Sequence, residues 1–220
     1  MSKFLQSAVF MSVSLAASLI VGVAQANEAA APAAADPAKA KTIVENTCGG
    51  CHGVDGNSMI AANPRLAGQH PEYLLKQLQN FKGKDGKPAE RKNAVMGGMV
   101  AALSDEDMRH LAAYFAGQKA GGGQTKGDRA SVDLGQRLWR AGDIKRGLPA
   151  CAACHGPAGA GLPAQYPRLA GQHADYTEAQ LKAFRLSERA NDPNKVMQAI
   201  AAKMTDAEMK AVADYAAGLR

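Results

Sequence analysis

Aromatic side chains are scarce in this chain: five Tyr, five Phe and one Trp among 220 residues. So few cannot fill two small cores, and something else must supply the apolar bulk. No block of Lys and Arg is longer than two, and no aromatics are interleaved with basic residues, which excludes a nucleic-acid footprint. The formal net charge of +6 then reads as an ordinary solvated surface with some excess lysine. Only one stretch, at the amino terminus, is apolar over a length that could cross a bilayer, so a multi-span membrane protein is excluded. No segment alternates as a strand should. A hydrophobic content of 46% is too high for a disordered chain. Cysteine is limited to four residues, and none is left over once two identical frames are filled: Cys48-Gly-Gly-Cys51-His52 and Cys151-Ala-Ala-Cys154-His155.

At the amino terminus Lys3 precedes a mainly apolar run, Phe4 to Val23, and then Ala24-Gln25-Ala26. A basic start, an apolar middle and a small-x-small box are the three parts of a cleavable export signal. The expectation is a signal peptide over 1–26, an Ala/Pro-rich flexible segment over 27–36, and an exported soluble product. In an oxidising compartment four cysteines would ordinarily suggest two disulfides, but their placement argues for other chemistry.

An internal repeat organises the rest. Pro64-Arg-Leu-Ala-Gly-Gln-His70 returns unchanged as Pro167-Arg-Leu-Ala-Gly-Gln-His173, at the offset of 103 that also relates His52 to His155 and Tyr73 to Tyr176. Farther on the offset falls to 101: Val95-Met96 matches Val196-Met197, Ser104 matches Thr205, and Tyr114 matches Tyr215. A two-residue deletion therefore lies in the second copy, within or after the stretch corresponding to Lys82–Asn93. The seam is the glycine-rich stretch from Gly117 to Gly127, which reads as a flexible linker. The domain boundaries expected are 37–117, a linker at 118–130, and 131–220.

Each copy reads as helical. Lys39 to Thr47 and Val132 to Ala141 are short helices ahead of the cysteine frames. Glu72 to Lys82 and Tyr176 to Leu186 carry apolar positions at helical spacing, with Tyr73, Leu74, Leu78 and Phe81 forming the stripe in the first. The closing helices start at Ser104 and at Thr205, where Thr205 with Glu208 makes a capping box. Met108, Leu111, Ala112 and Phe115 then line one face. The fold class is all-α, in two domains.

The CxxCH frame is a haem-attachment signature. Two thiols one helical turn apart can add to the two vinyl groups of a haem, and the histidine that follows reaches the iron. A thioredoxin-like CxxC would need a parallel βαβ setting, and a zinc site would not demand His after both pairs. Cys48, Cys51, Cys151 and Cys154 are therefore expected to hold two haem c groups covalently, with His52 and His155 as axial ligands. Two macrocycles would also supply the missing apolar bulk.

A sixth ligand closes each iron. Met197 lies 42 residues after His155, between the middle and closing helices, and is expected to bind iron. Met96 is its gapless match in the first copy, and Met99 remains the alternative; Met99 aligns with Ile200, which cannot bind iron. Met108, Met204 and Met209 read as core, and Met59 as a loop or packing residue. His70 and His173 read as loop hydrogen-bonding residues rather than ligands. The carbonyls of Pro64 and Pro167 are candidates to orient the ligand histidines. Tyr73 and Tyr176 read as core residues whose hydroxyls are within reach of a propionate, and Arg65 and Arg168 as either solvated or near one. Trp139, without a counterpart in the first copy, reads as packing.

Together the frames CGGCHGVDGN at 48–57 and CAACHGPAGAG at 151–161, both PRLAGQH blocks, and NAVMGGM and NKVMQAI resemble the di-haem cytochrome c4 family from about residue 37 to the carboxyl terminus. The resemblance implies two class I cytochrome c domains, each wrapped around a covalently bound haem c with His/Met ligation, their propionate edges facing each other. The pairs carried over are His52 with Met96 and His155 with Met197. It also implies a periplasmic electron carrier, often beside the inner membrane, between respiratory donors and a terminal oxidase.

The function expected is thus transfer of single electrons by a monomer with two haem domains, with no substrate chemistry and no nucleic acid. Its partners would be redox proteins, with peripheral membrane association left open. Two other readings stay open: a cytochrome subunit of a larger dehydrogenase, and a di-haem enzyme of the peroxidase or thiosulfate-oxidising type. The enzyme would need an open iron, which matched Met residues in both copies argue against.

Overall fold

The computed structural model describes residues 35–84 and 86–220. The expected signal peptide and most of the segment 27–36 lie outside the described residues.

The first half opens where Asp36 accepts from the Ala38 N–H and Pro37 occupies the first turn of α1 (Pro37–Ile43). The helix widens into a π-turn, Val44–Cys48, and runs straight into α2 (Gly49–His52), so one continuous coil carries the cysteine frame. After the loop holding Pro64–His70 come α3 (Pro71–Phe81), α4 (Ala94–Val100) and α5 (Asp105–Ala116). Helix α5 is closed by a reciprocal capping box of Ser104 with Asp107. Its face of Met108, Leu111, Ala112 and Phe115 is buried, with α1 and α3 packed against it. Met108, Leu111 and Phe115, removed from water, each contribute roughly 1.5–3 kcal/mol.

The second half repeats the plan with α6 (Arg129–Ala141), α7 (Ala152–His155), α8 (Ala174–Arg185), α9 (Val196–Ala201) and α10 (Asp206–Gly218). The expected Thr205–Glu208 capping box is present. Helices α6 and α8 pack on α10. Gly135 permits the α6–α10 crossing, because a Cβ there would lie 2.2 Å from the Ala211 carbonyl oxygen. Met204 and Met209 are core, as is Trp139, whose indole N–H donates to the Pro157 carbonyl at 3.2 Å. Met59 is 90% exposed, a loop residue with no packing role. Among the described residues there is no β-sheet, only three isolated bridges, and no helix is long and apolar enough to cross a membrane.

The glycine-rich seam corrects the expectation of a flexible linker. Asn57 accepts from the Gly121 N–H at 2.7 Å and donates to the Lys119 carbonyl at 3.1 Å. Arg65 donates to the Gly122 carbonyl at 2.7 Å, and buried Asp214 accepts from the N–H groups of Lys126 and Gly127. The seam is a strap tied to both halves. Its glycines serve close approach: a Cβ on Gly123 would sit 2.3 Å from the Ala217 carbonyl oxygen of α10.

Candidate haem sites

In each half a short helix presents two cysteines and a histidine from one turn. No disulfide joins the cysteines. Burial pushes the Cys48 thiol above its ordinary value and the Cys151 thiol up to about 11, so both are neutral thiols at pH 7. His52 and His155 are buried at the ends of α2 and α7. Burial pushes both imidazoles below their ordinary value, only partly offset by a hydrogen bond to a proline carbonyl. That bond runs from Nδ1 to Pro64 O in one half and to Pro167 O in the other, 2.9 Å each. A carbonyl can only accept, so Nδ1 carries the proton and Nε2 keeps its lone pair. Neutral imidazoles with Nε2 available, one turn from a pair of free thiols, suit a covalently attached haem. The hydrogen bonds that the expected orienting role of Pro64 and Pro167 requires are present.

The candidate sixth ligands differ in setting. Met96 lies in the first turn of α4, where the Asn93 side chain accepts from the Met96 N–H at 2.9 Å. It is partly buried, whereas Met99 is 47% exposed. Met197 packs against the second-half core, as Cys151 and Ala152 also do. Its helix is entered through Asn194 and Lys195, both with left-handed backbone (φ 56° and 55°).

The repeated block does more than was legible in it. Gln69 accepts from the Arg168 N–H at 2.8 Å and donates to the Arg168 carbonyl at 2.9 Å. Gln172 does the same to Arg65, both bonds 2.9 Å. His70 donates from Nε2 to the Ala160 carbonyl at 3.1 Å, and His173 to the Ser58 carbonyl at 2.8 Å. These are hydrogen-bonding loop residues as expected, but each partner lies in the opposite half, in the loop that follows its cysteine frame. Arg65 is partly exposed, and besides the strap it donates to the Gly171 carbonyl at 2.9 Å. The Nε atoms of Arg65 and Arg168 are buried without a partner.

A second crossed network sits beside it. Arg91 stacks 4.5 Å over the Phe81 ring and donates to the Tyr176 hydroxyl (2.9 Å), Gln180 and Gln77. Arg189 stacks 4.5 Å over Phe184 and donates to the Tyr73 hydroxyl (2.9 Å), Gln180 and Gln77. Burial alone would raise the Tyr73 hydroxyl, but the charges of Arg189 and Arg91 outweigh it and hold it below its ordinary value. The tyrosines thus bond arginines across the interface. Both buried guanidiniums hydrogen-bond only to neutral acceptors, while the Asp192 carboxylate also acts on Arg189 through its charge. Sequence reasoning missed Arg91 and Arg189 because they are 98 residues apart, at neither repeat offset. It missed Gln69 and Gln172 although both stand in the repeated block.

Comparison with known proteins agrees with this geometry. The family described as Cytochrome c matches residues 37–119 and again 132–219. Cytochrome c4 of Thiocapsa roseopersicina is 45% identical over 88% of this chain and 97% of its own. A thiosulfate dehydrogenase electron acceptor of Stutzerimonas stutzeri (strain A1501) is 44% identical over 78% of each. The crystal structure of reduced recombinant cytochrome c4 from Pseudomonas stutzeri superposes with a TM-score of 0.78 at 41% identity, covering 85% of this chain and 100% of that one. The chain belongs to the cytochrome c family, within its cytochrome c4 group, and is an electron-transfer protein with two covalently attached haem c groups rather than an enzyme.

Proposed function

We propose that this protein carries single electrons in the periplasm between a respiratory donor and a terminal oxidase or comparable acceptor. The domains are 37–117 and 131–220, joined by the strap at 118–130, after removal of a signal peptide over 1–26. Cys48 and Cys51 would hold one haem, with His52 and Met96 binding its iron; Cys151 and Cys154 would hold the other, with His155 and Met197. The observation that carries this reading is the pair of neutral histidines, each with Nδ1 committed to a proline carbonyl and Nε2 available. When bound, each haem supplies a one-electron ferric/ferrous couple. The chain's own residues do the remaining work. Pro64 and Pro167 fix the imidazole planes and tautomers. Burial of Met96 relative to Met99 favours Met96 as the sulfur donor. The crossed glutamines and arginines hold the halves in one arrangement, so an internal transfer needs no domain motion.

A second reading of the donor rests on the relative named a thiosulfate dehydrogenase electron acceptor: the electrons come from a thiosulfate-oxidising dehydrogenase.

An optical spectrum of the ferric protein, with haem quantified per chain and carbon monoxide added after reduction, tests the site assignment. Two haems, the far-red sulfur-to-iron band at full intensity and no carbon monoxide complex are expected. Half the band, or ready carbon monoxide binding, would mean that one iron is open and would overturn the two-ligand assignment. Reduction by a purified thiosulfate dehydrogenase, compared with reduction by a quinol-oxidising complex, separates the two donors.

A further inference from the structure

We propose that each half tunes the iron-ligand histidine of the other through a glutamine amide, with Gln172 acting on His52 and Gln69 acting on His155. The proposal rests on the assignment of these histidines as ligands and adds residues that act through them.

The Pro64 carbonyl and the Arg65 N–H belong to a single peptide group. The carbonyl accepts from His52 Nδ1 at 2.9 Å, and the N–H donates to Gln172 Oε1 at 2.9 Å. The other half repeats the arrangement: His155 Nδ1 to Pro167 O at 2.9 Å, and Arg168 N–H to Gln69 Oε1 at 2.8 Å. A peptide group bonded at both ends is polarised by both, because hydrogen bonds in series strengthen one another, by about 10–30% per bond in a low-dielectric setting. The glutamine oxygen on one side therefore makes the proline carbonyl a better acceptor on the other. A better acceptor draws the Nδ1 proton, raises the basicity of Nε2 and favours the oxidised iron.

The geometry is built rather than incidental. Each glutamine is only 8% exposed. Its amide orientation is fixed because Nε2 donates to the carbonyl of the same arginine at 2.9 Å. The same Oε1 also accepts from its own neighbour, His70 N–H at 3.0 Å or His173 N–H at 2.9 Å, so the oxygen is held from two sides.

The test uses the full-length holoprotein and three variants: Gln172→Leu, Gln172→Glu and Gln69→Leu. Two readouts are needed, the reduction potential of each haem and the Nδ1–H proton shift of each ligand histidine in the reduced protein, both assigned by NMR. Leucine removes the acceptor, so Gln172→Leu should raise the potential of the His52 haem and move the His52 Nδ1–H resonance upfield. Gln69→Leu should do the same at His155. Glutamate keeps and strengthens the acceptor while losing the Nε2 donor. Gln172→Glu should therefore move the His52 resonance downfield, opposite to leucine. Simple loosening of the interface cannot give opposite signs, since both variants lose the same Nε2 bond. If Gln172→Leu fails to fold, the near-isosteric Gln172→Glu still carries its own signed expectation. Shifts confined to the variant's own half, shifts of one sign in both variants, or no shift would overturn the proposal. If the ring protons of His52 and His155 in the reduced, unmutated protein lack the large upfield shift of an imidazole held over a haem, the histidine assignment beneath the proposal is overturned instead.

Discussion

The two halves share their chemistry and differ in how they approach it. In the first, the leading coil runs from Pro37 through the π-turn to His52 without a break. In the second, α6 ends at Ala141, Gly142 turns the chain with φ 65°, and a loop closed by the Asp143–Leu148 bridge precedes Cys151. The methionine helices differ as well: α4 begins on an Asn93 cap, whereas α9 begins from two left-handed residues that are not glycine. The first core has no counterpart of Trp139. Against this divergence, the His–Pro bond is 2.9 Å in both, and each glutamine–arginine pair is crossed in the same way. The lesson is that groups at the proposed iron site or facing the other half have little freedom, while segments that only lead the chain there can be rebuilt.

The sharpest way to break the equivalence is at the proposed sulfur donors. Met96→Ala and Met197→Ala should each remove about half of the far-red band and open one iron to carbon monoxide, since each takes one of two sulfur donors. Met99→Ala should leave the band intact; loss of the band in that variant would transfer the ligand role to Met99. A smaller effect is expected at the crossed arginines. Arg91→Met and Arg189→Met each remove buried, charge-assisted hydrogen bonds, and each should cost about 2 kcal/mol in denaturant unfolding of the holoprotein. Strongly unequal losses would show that the interface leans on one half. The smallest effect belongs to the entry of α9. Lys195→Gly relieves a left-handed residue worth about 1–2 kcal/mol, offset by about 0.5–1 kcal/mol of added chain entropy, so a gain of under 1 kcal/mol is expected from the same unfolding measurement. Asn93, already an extended cap, offers no such gain.

Much of this was legible in the sequence, for identifiable reasons. Caps and apolar stripes are local, so the starts of α5 and α10 could be read from Ser104 and Thr205. The cysteine frame states its chemistry in five residues. The His–Pro bond was legible because both partners repeat at one offset. What stayed hidden is the direction of contact. A block that repeats unchanged looks the same whether Gln69 bonds within its own copy or across to Arg168, and only the folded chain distinguishes the two. The strap was misread for a related reason: glycine spacing signals freedom in an unfolded chain, but here the missing Cβ lets Gly123 lie against α10.

The crossed glutamines have a consequence for the molecule's ancestry. A contact in which Gln69 holds Arg168 while Gln172 holds Arg65 is self-complementary, the same patch meeting itself about a two-fold axis. That is the isologous interface of a symmetric dimer, written within one polypeptide. A single-copy forebear carrying Pro-Arg-Leu-Ala-Gly-Gln-His could have paired with its own twin through these same bonds. Gene fusion would then have replaced a concentration-dependent encounter with an effective concentration in the millimolar range. Once joined, the copies no longer had to remain identical, and the altered approaches to the second site are what that release permits.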